Sequence, residues 1–457
     1  MQKTVVINAV GLTSEGLEQM PFMKQWAEGK GRAVIKPVFP AVTCSAQSTY
    51  LTGKYPSEHG IVGNGWYFKE ECEVKFWRQS NKLVTSEKIW DRMKKEDPSF
   101  TCANLFWWYN MYSTVDFSVT PRPNYLADGR KLPDCYSHPA DLRDELQQKL
   151  GTFPLFDFWG PRTTIKSTRW IADASILTDQ RYDPTLTLVY LPHLDYNYQR
   201  HGKNHPSISM DLLELDEVMK SLIGYYESKK AKIIVLSEYG ITGVNQPIHL
   251  NRTLREKGYI AVREERGLEL LDAGASKAFA VADHQVAHVY LKDKSLLTSV
   301  KTLLEEINGV ETVLDEKGKK EYHLDHDRAG DLVVIADNDS WFTYYYWLDD
   351  KKAPDFARLV DIHSKPGYDP VEMFTDPTKK FITARVLAKL LRKKMGFRTL
   401  MDIIPLDASL VKGSHGRIPE NKSDWPVIIS SEEQILPGNE LNAVDVYDVL
   451  YGCLVGD

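Results

Sequence analysis

The chain has 457 residues, 42% of them hydrophobic and 26% charged, which excludes a disordered tail or a fibrous repeat and fits a folded globular protein. Its net charge of -6 excludes a binder of nucleic-acid polymer that works by neutralising phosphates with surplus lysine and arginine. The five cysteines (Cys44, Cys72, Cys102, Cys135 and Cys453) form no CxxC pair, and no apolar run approaches the roughly 18 residues of a spanning helix, so the expectation is a cytoplasmic protein with no membrane partner.

In chain order, Thr4–Thr13 (TVVINAVGLT) predicts a buried first strand and a turn, and MPFMKQWAEGKG a short helix closed by Gly29 and Gly31. Arg32–Thr43 is strand-like but broken by Pro37 and Pro40, and SAQSTYLTG suits a helix that stops at Gly53. Phe100–Tyr109 and Thr185–Tyr196 are further buried-strand candidates. Ile208–Lys229 carries apolar residues at helical spacing and runs directly into AKIIVLSEYG, a strand. Alternating strands and helices of this kind build right-handed βαβ units around a mainly parallel sheet. From 254 to 340 the texture changes to strand AHVYL, helix KSLLTSVKTLLEEI, strand KEYHL and strand GDLVVIA, an inserted α+β capping subdomain between a first core part (1–253) and a return to the core (341–457). The last part contains a variable insert at about 345–405, whose basic helix PTKKFITARVLAKLLRKKMG reads as a solvated face. NAVDVYDVLYGCLVG closes the chain as a helix.

Polar residues recur where apolar strands stop, at Asn8, Thr43, Asp195 and Glu238, and His415 stands between glycines in GSHGR. Carboxyl ends of parallel strands are where open α/β sheets hold ligands, so their recurrence locates a site. The aromatic run Trp107, Trp108, Tyr109 and Tyr112 serves either the core or a pocket for a base or an apolar group.

Thr43–Asn64, TCSAQSTYLTGKYPSEHGIVGN, resembles the nucleophile region of the nucleotide pyrophosphatase/phosphodiesterase branch of the alkaline phosphatase superfamily. The match rests on Thr43, Thr52, Gly53, Tyr55, Pro56 and the run His59–Asn64, and extends through SEYG, RAGDLVV, GSHGR and the closing helix. The resemblance implies an alkaline-phosphatase-like α/β core, a central mainly parallel sheet flanked by helices, with the capping subdomain inserted in it. It also implies a metal-dependent phosphohydrolase in which Thr43 attacks phosphorus to form a phospho-threonine and Asn64 donates an N–H to a non-bridging oxygen. His59 is expected to hold the turn that follows.

The family pattern further implies two zinc ions clamping the attacking and leaving oxygens. Thr43, Asp195 and His415 match its ligands, and Glu238 replaces an aspartate. Tyr239 and Gln199 stand where histidines belong, and Asn8 where the first-strand aspartate belongs. Three outcomes are open. The site is rebuilt for an oxygen-loving Mg²⁺, Mn²⁺ or Ca²⁺, it is repaired by His193, His201, His284 or His288, or metal and turnover are both lost. The expected ligand is a small phosphorylated molecule. The alternative to a hydrolase is a non-catalytic binder of a phosphorylated metabolite on a degenerate scaffold, with a lyase or transferase as a third option; no oligomeric state follows from the sequence.

Overall fold

The structure, a computed structural model, describes residues 1–456. Runs rich in Val, Ile and Leu, apolar on both faces, build the middle of its largest sheet, as expected for strands covered by helices on either side. In spatial order the nine strands are Glu440–Asn442, Gly31–Lys36, Val427–Ser430, Lys232–Leu236, Thr4–Ala9, Leu186–Leu191, Cys102–Leu105, Phe117–Pro121 and Cys135–His138. Only Val427–Ser430 and Cys135–His138 run against their neighbours, so the sheet is mainly parallel. Thr4–Ala9 lies between Leu186–Leu191 and Lys232–Leu236 with Asn8 level with Tyr190 and Leu236, which sets three strand ends side by side. Helices Ile165–Tyr182 and Ile208–Ser228 pack on each other and on these strands, and the closing helix Val446–Val455 packs against Thr43–Thr52.

A second, four-stranded antiparallel sheet has the order Ala278–Asp283, Val286–Leu291, Leu332–Ala336, Val310–Leu314. It carries its own apolar core, which also takes in Tyr344, Tyr345, Tyr346 and Trp347. The two-residue turn between its first two strands, His284-Gln285, points this sheet at the central one: Gln285 N donates to the His415 carbonyl at 2.9 Å.

One expected strand is not a strand. KEYHL (320–324) continues from a helix, Glu316–Glu321, because Asp315 caps it by accepting from the amides of Lys317 and Gly318. Among the described residues no helix is long and apolar enough to cross a membrane.

Candidate functional site

The strand Lys232–Leu236 stops two residues before Glu238, which is fully buried. Its Oε1 accepts two N–H bonds of 2.5 Å, one from Asn8 Nδ2 at the end of the first strand and one from Gln47 Nε2. Gln47 lies in the first half of the Thr43–Thr52 helix, and its own carbonyl oxygen accepts from the Trp108 amide at 2.7 Å. Burial pushes the Glu238 carboxyl up to about 8, so it holds a proton at neutral pH. Its Oε2 and Asn8 Oδ1 have no hydrogen-bond partner.

Thr43 is the first residue of its helix; the preceding Val42 provides no side-chain cap, Asn64 takes the Cys44 amide, and the partly positive helix end lies beside the Thr43 hydroxyl. Thr43 Oγ1 lies 3.1 Å from the Tyr239 hydroxyl, and Tyr239 donates to Asp195 Oδ1 at 3.2 Å. Asp195 and Gln199 face the same way one turn apart on the helix His193–His201. Gln199 Nε2 donates to Asp195 Oδ2 at 2.8 Å and its Oε1 accepts from the Tyr368 hydroxyl at 3.0 Å. Burial raises the Asp195 carboxyl to about 7.

An aromatic column backs this chain of hydrogen bonds. Tyr239 stacks on His415 at 3.6 Å, His415 lies 3.6 Å from His284, and His284 stacks on Tyr368 at 3.8 Å. His415 Nδ1 donates to the Ala41 carbonyl at 2.8 Å, which leaves Nε2 as an acceptor, 3.9 Å from Asp195 Oδ1. Burial lowers the His415 ring to about 3 and the His284 ring well below its ordinary value, so both are neutral imidazoles.

Asn64 sits beneath the helix start rather than in the open. Its Oδ1 accepts from the Cys44 amide at 3.0 Å, while its backbone N–H and Nδ2 donate to Asp283 at 2.7 and 3.1 Å. Asp283 ends a strand of the second sheet, so Asn64 ties that strand to the start of the Thr43–Thr52 helix. Asp283, Gln47 and Tyr368 are participants that residue-by-residue reading of the sequence missed. An acid closing the apolar run AFAVAD was a signal for the first; an internal helical glutamine carries none.

His193 and His201 stand apart. The His193 ring faces Asp211 and Glu214, each at 3.4 Å, and among the described residues this is the only trio of His, Cys, Asp or Glu whose donor atoms converge within 4.8 Å. His201 stacks on His205 at the surface, and His288 spends both nitrogens on Val62 and Gly330. Of the aromatic run, Trp108 lines the cavity described below, Trp107 and Tyr109 are buried in apolar clusters and Tyr112 is exposed.

The donor set does not fit a pair of zinc ions. His415 is the single imidazole left of those the pattern calls for, and zinc is held by imidazole, thiolate and carboxylate rather than amide or phenol. The replacements also point the wrong way. Asn8, Tyr239 and Gln199 each direct an N–H or O–H at one of the two remaining acids, Glu238 or Asp195, where ligands would turn lone pairs to a cation.

Thr43, Asp195, Tyr239, His284 and His415 line one end of a cavity of about 530 Å³. Its walls are aromatic, with Trp77, Trp108, Phe158, Trp159 and Tyr368, and Arg78, Arg122 and Lys131 add positive charge. The segment 360–368 that closes one side is held from behind by Lys365, whose Nζ is 2.7 Å from both Asp369 and Glu372; all three side chains are buried. Glu372 accepts in turn from the Trp159 indole at 2.6 Å and the Asp361 amide at 3.0 Å.

The type I phosphodiesterase / nucleotide pyrophosphatase family model matches residues 4–369. A pyrophosphatase/phosphodiesterase of Schizosaccharomyces pombe is 24% identical over 209 residues, covering 45% of this chain and 37% of the relative. Ectonucleotide pyrophosphatase/phosphodiesterase 1 of Saccharomyces cerevisiae is 23% identical over 311 residues, covering 61% and 36%. The matches thus span little more than a third of these curated relatives' length. Among solved structures, human ectonucleotide pyrophosphatase / phosphodiesterase 5 superposes with a TM-score of 0.61 at 14% identity, covering 99% of this chain and 95% of that one. Phosphonoacetate hydrolase from Sinorhizobium meliloti, in complex with phosphonoformate, gives 0.62 at 14%, covering 99% and 96%. The central sheet is the one these proteins share, and with four-fifths of its length matched by the family model the chain belongs to the type I phosphodiesterase / nucleotide pyrophosphatase family.

Proposed function

We propose that the chain is a hydrolase of a small phosphate ester or diester in which Thr43 is the nucleophile and becomes phosphorylated. The observation that carries this reading is the Tyr239 hydroxyl set between the Thr43 hydroxyl and the Asp195 carboxylate. A threonine hydroxyl needs a base or a metal to become reactive. Relatives in the family are divalent-metal enzymes, but here hydrogen-bond donors occupy the acids that would hold zinc. Tyr239 provides another route for the proton.

In the first step Thr43 Oγ1 forms a bond to phosphorus, its proton passes to the Tyr239 oxygen and the Tyr239 proton to Asp195. The ester P–O bond breaks and the leaving oxygen takes a proton from solvent. In the second step water attacks the phospho-threonine and releases one proton to solvent, the Thr43–phosphorus bond breaks, and the Thr43 oxygen takes back the proton held on Asp195 through Tyr239. A base working near neutral pH suits this task, and Asp195 is held at about 7. A neutral Glu238 spares the incoming phosphate a second buried negative charge. The N-terminus of the Thr43–Thr52 helix, of whose first-turn amides Asn64 takes that of Cys44, supplies positive potential for the phosphoryl oxygens. Asn64 and Asp283 serve as positioning residues that fix this helix end.

The cavity's aromatic walls favour a substrate whose phosphate is joined to a flat or apolar body. Two structural neighbours were solved with small phosphorus compounds, murine ectonucleotide pyrophosphatase / phosphodiesterase 5 with AMP and phosphonoacetate hydrolase with phosphonoformate. The test is rapid quenching during turnover of aryl phosphodiesters and phosphomonoesters, followed by peptide mass spectrometry. Phosphate on Thr43, absent in Thr43→Ala, is the expected result. AMP or pyrophosphate binding without turnover of any ester would instead mark the chain as a non-catalytic binder.

A further inference from the structure

We infer that the helix Ile382–Lys394 docks the protein on the surface of an anionic lipid membrane. From Pro377 to Met401 the sequence holds eight Lys or Arg and no Asp or Glu, in a chain whose net charge is -6. Ile382, Val386, Lys389 and Lys393, spaced by four, three and four residues, are half-buried against the body, and no residue of the helix is fully buried. Leu387, Leu390 and Leu391 lie on the outward side, with Leu387 58% exposed, and Phe381, Met395, Phe397 and Leu400 extend the apolar surface at both ends. A helix normally turns its apolar stripe inward. This one turns leucines out and surrounds them with cations, the arrangement of a helix lying in a membrane interface with its basic side chains among anionic headgroups. Lys380, Arg385, Arg392, Lys393, Lys394 and Arg398 form no ion pair among the described residues, so their charge is free for a partner. The sequence-based reading of this helix as a solvated face accounts for the lysines and leaves the exposed leucines unexplained.

One end of the basic segment lies beside residues that line the cavity. Arg398 donates to the Ala127 carbonyl at 3.0 Å and so fixes the end of the basic segment to the loop that carries Tyr125. Tyr125 and Phe156 both line the cavity and are 57% and 45% exposed. The docking itself is independent of the hydrolase reading.

The test is flotation of the full chain with vesicles of phosphatidylcholine alone and of phosphatidylcholine with about one-third phosphatidylglycerol. The chain should float with the anionic vesicles only, and added salt of about 0.5 M should weaken the binding. Leu387→Glu with Leu391→Glu should reduce binding about tenfold while leaving turnover of a water-soluble ester and the thermal midpoint unchanged. A chain that stays in the aqueous phase with both vesicles, or a double variant that floats as well as the parent, overturns the proposal. So does light scattering that finds a dimer split by the same double variant, since a second copy then covers this face.

Discussion

The hydroxyl of Tyr239 lies 3.1 Å from the hydroxyl of Thr43, and Tyr239 holds the sequence position at which the family pattern implies a metal-binding histidine. Its other contact, 3.2 Å to Asp195, makes it a bridge between the Thr43 hydroxyl and an acid rather than a ligand. Asn8 and Gln199 follow the same rule, each donating to an acid. Reversing the three changes should therefore build the zinc centre that the family pattern implies. Asn8→Asp with Gln199→His and Tyr239→His should retain about one or two zinc ions per chain after dialysis, while the parent retains well under one. Elemental analysis of the two proteins decides it, and zinc retained equally by both would contradict the donor assignment.

Three buried carboxyls set the response of stability to pH. Burial holds Asp195 and Asp283 at about 7 and Glu238 at about 8, all above their unfolded values. In the window between the unfolded and folded values the folded chain binds more protons, so these groups favour folding at lower pH and lose that contribution as pH rises through 7 to 8. Buried histidines act in the opposite sense only below their unfolded value of about 6.5, as His59 and His415 are lowered to about 3. The thermal midpoint should therefore fall between about pH 6.5 and 8, and Glu238→Gln should flatten the fall. A midpoint that rises across this range would contradict the assignment.

Lys365 is the keystone of the cavity wall. Its ammonium sits between Asp369 and Glu372 with all three side chains buried, and Lys365→Met leaves two acids uncompensated. Denaturant unfolding should show a loss of about 3–5 kcal/mol, whereas replacing all three by apolar residues of similar size should recover most of it. Equal losses in the single and triple variants would show that packing rather than charge holds the segment.

Trp108 joins the site to its apolar wall. Its backbone amide donates to Gln47, its ring packs on Trp77 at 4.9 Å between centroids, and its indole N–H has no protein partner. Trp108→Ala should lower kcat/KM for a bulky aryl phosphodiester about tenfold and leave a small methyl ester nearly unchanged, a difference of one aromatic contact. Equal effects on both substrates would remove the ring from substrate binding.

Much of this was legible in the sequence, for physical reasons. Ile233–Leu236 and Val5–Ile7 are apolar on both faces, which marks central parallel strands, and the polar residues that follow them had nowhere to go but the sheet edge. The motif from Thr43 to Asn64 placed the helix that begins at Thr43. What the sequence hid is contact between distant segments. Asp283 meets Asn64 across 219 residues and Gln47 meets Glu238 across 191, and neither pairing leaves a local pattern. The KEYHL segment alternates like a strand, yet the Asp315 cap at its helix start outweighs that pattern. The stacking of His284 between His415 and Tyr368 depends on a tight turn in another sheet. The Ile382–Lys394 helix was readable as a helix, but which of its sides faces the protein was not.

The central claim is that Tyr239 and Asp195, not a zinc pair, activate Thr43. Its most direct test is turnover of an aryl phosphodiester in excess chelator, compared between the parent chain and Tyr239→Phe. The parent should keep its activity in chelator, and Tyr239→Phe, which removes one hydroxyl and little volume, should lose about 10²–10³-fold in kcat with KM nearly unchanged. Parent activity that disappears in chelator and returns with zinc, alongside an unimpaired Tyr239→Phe, would contradict it.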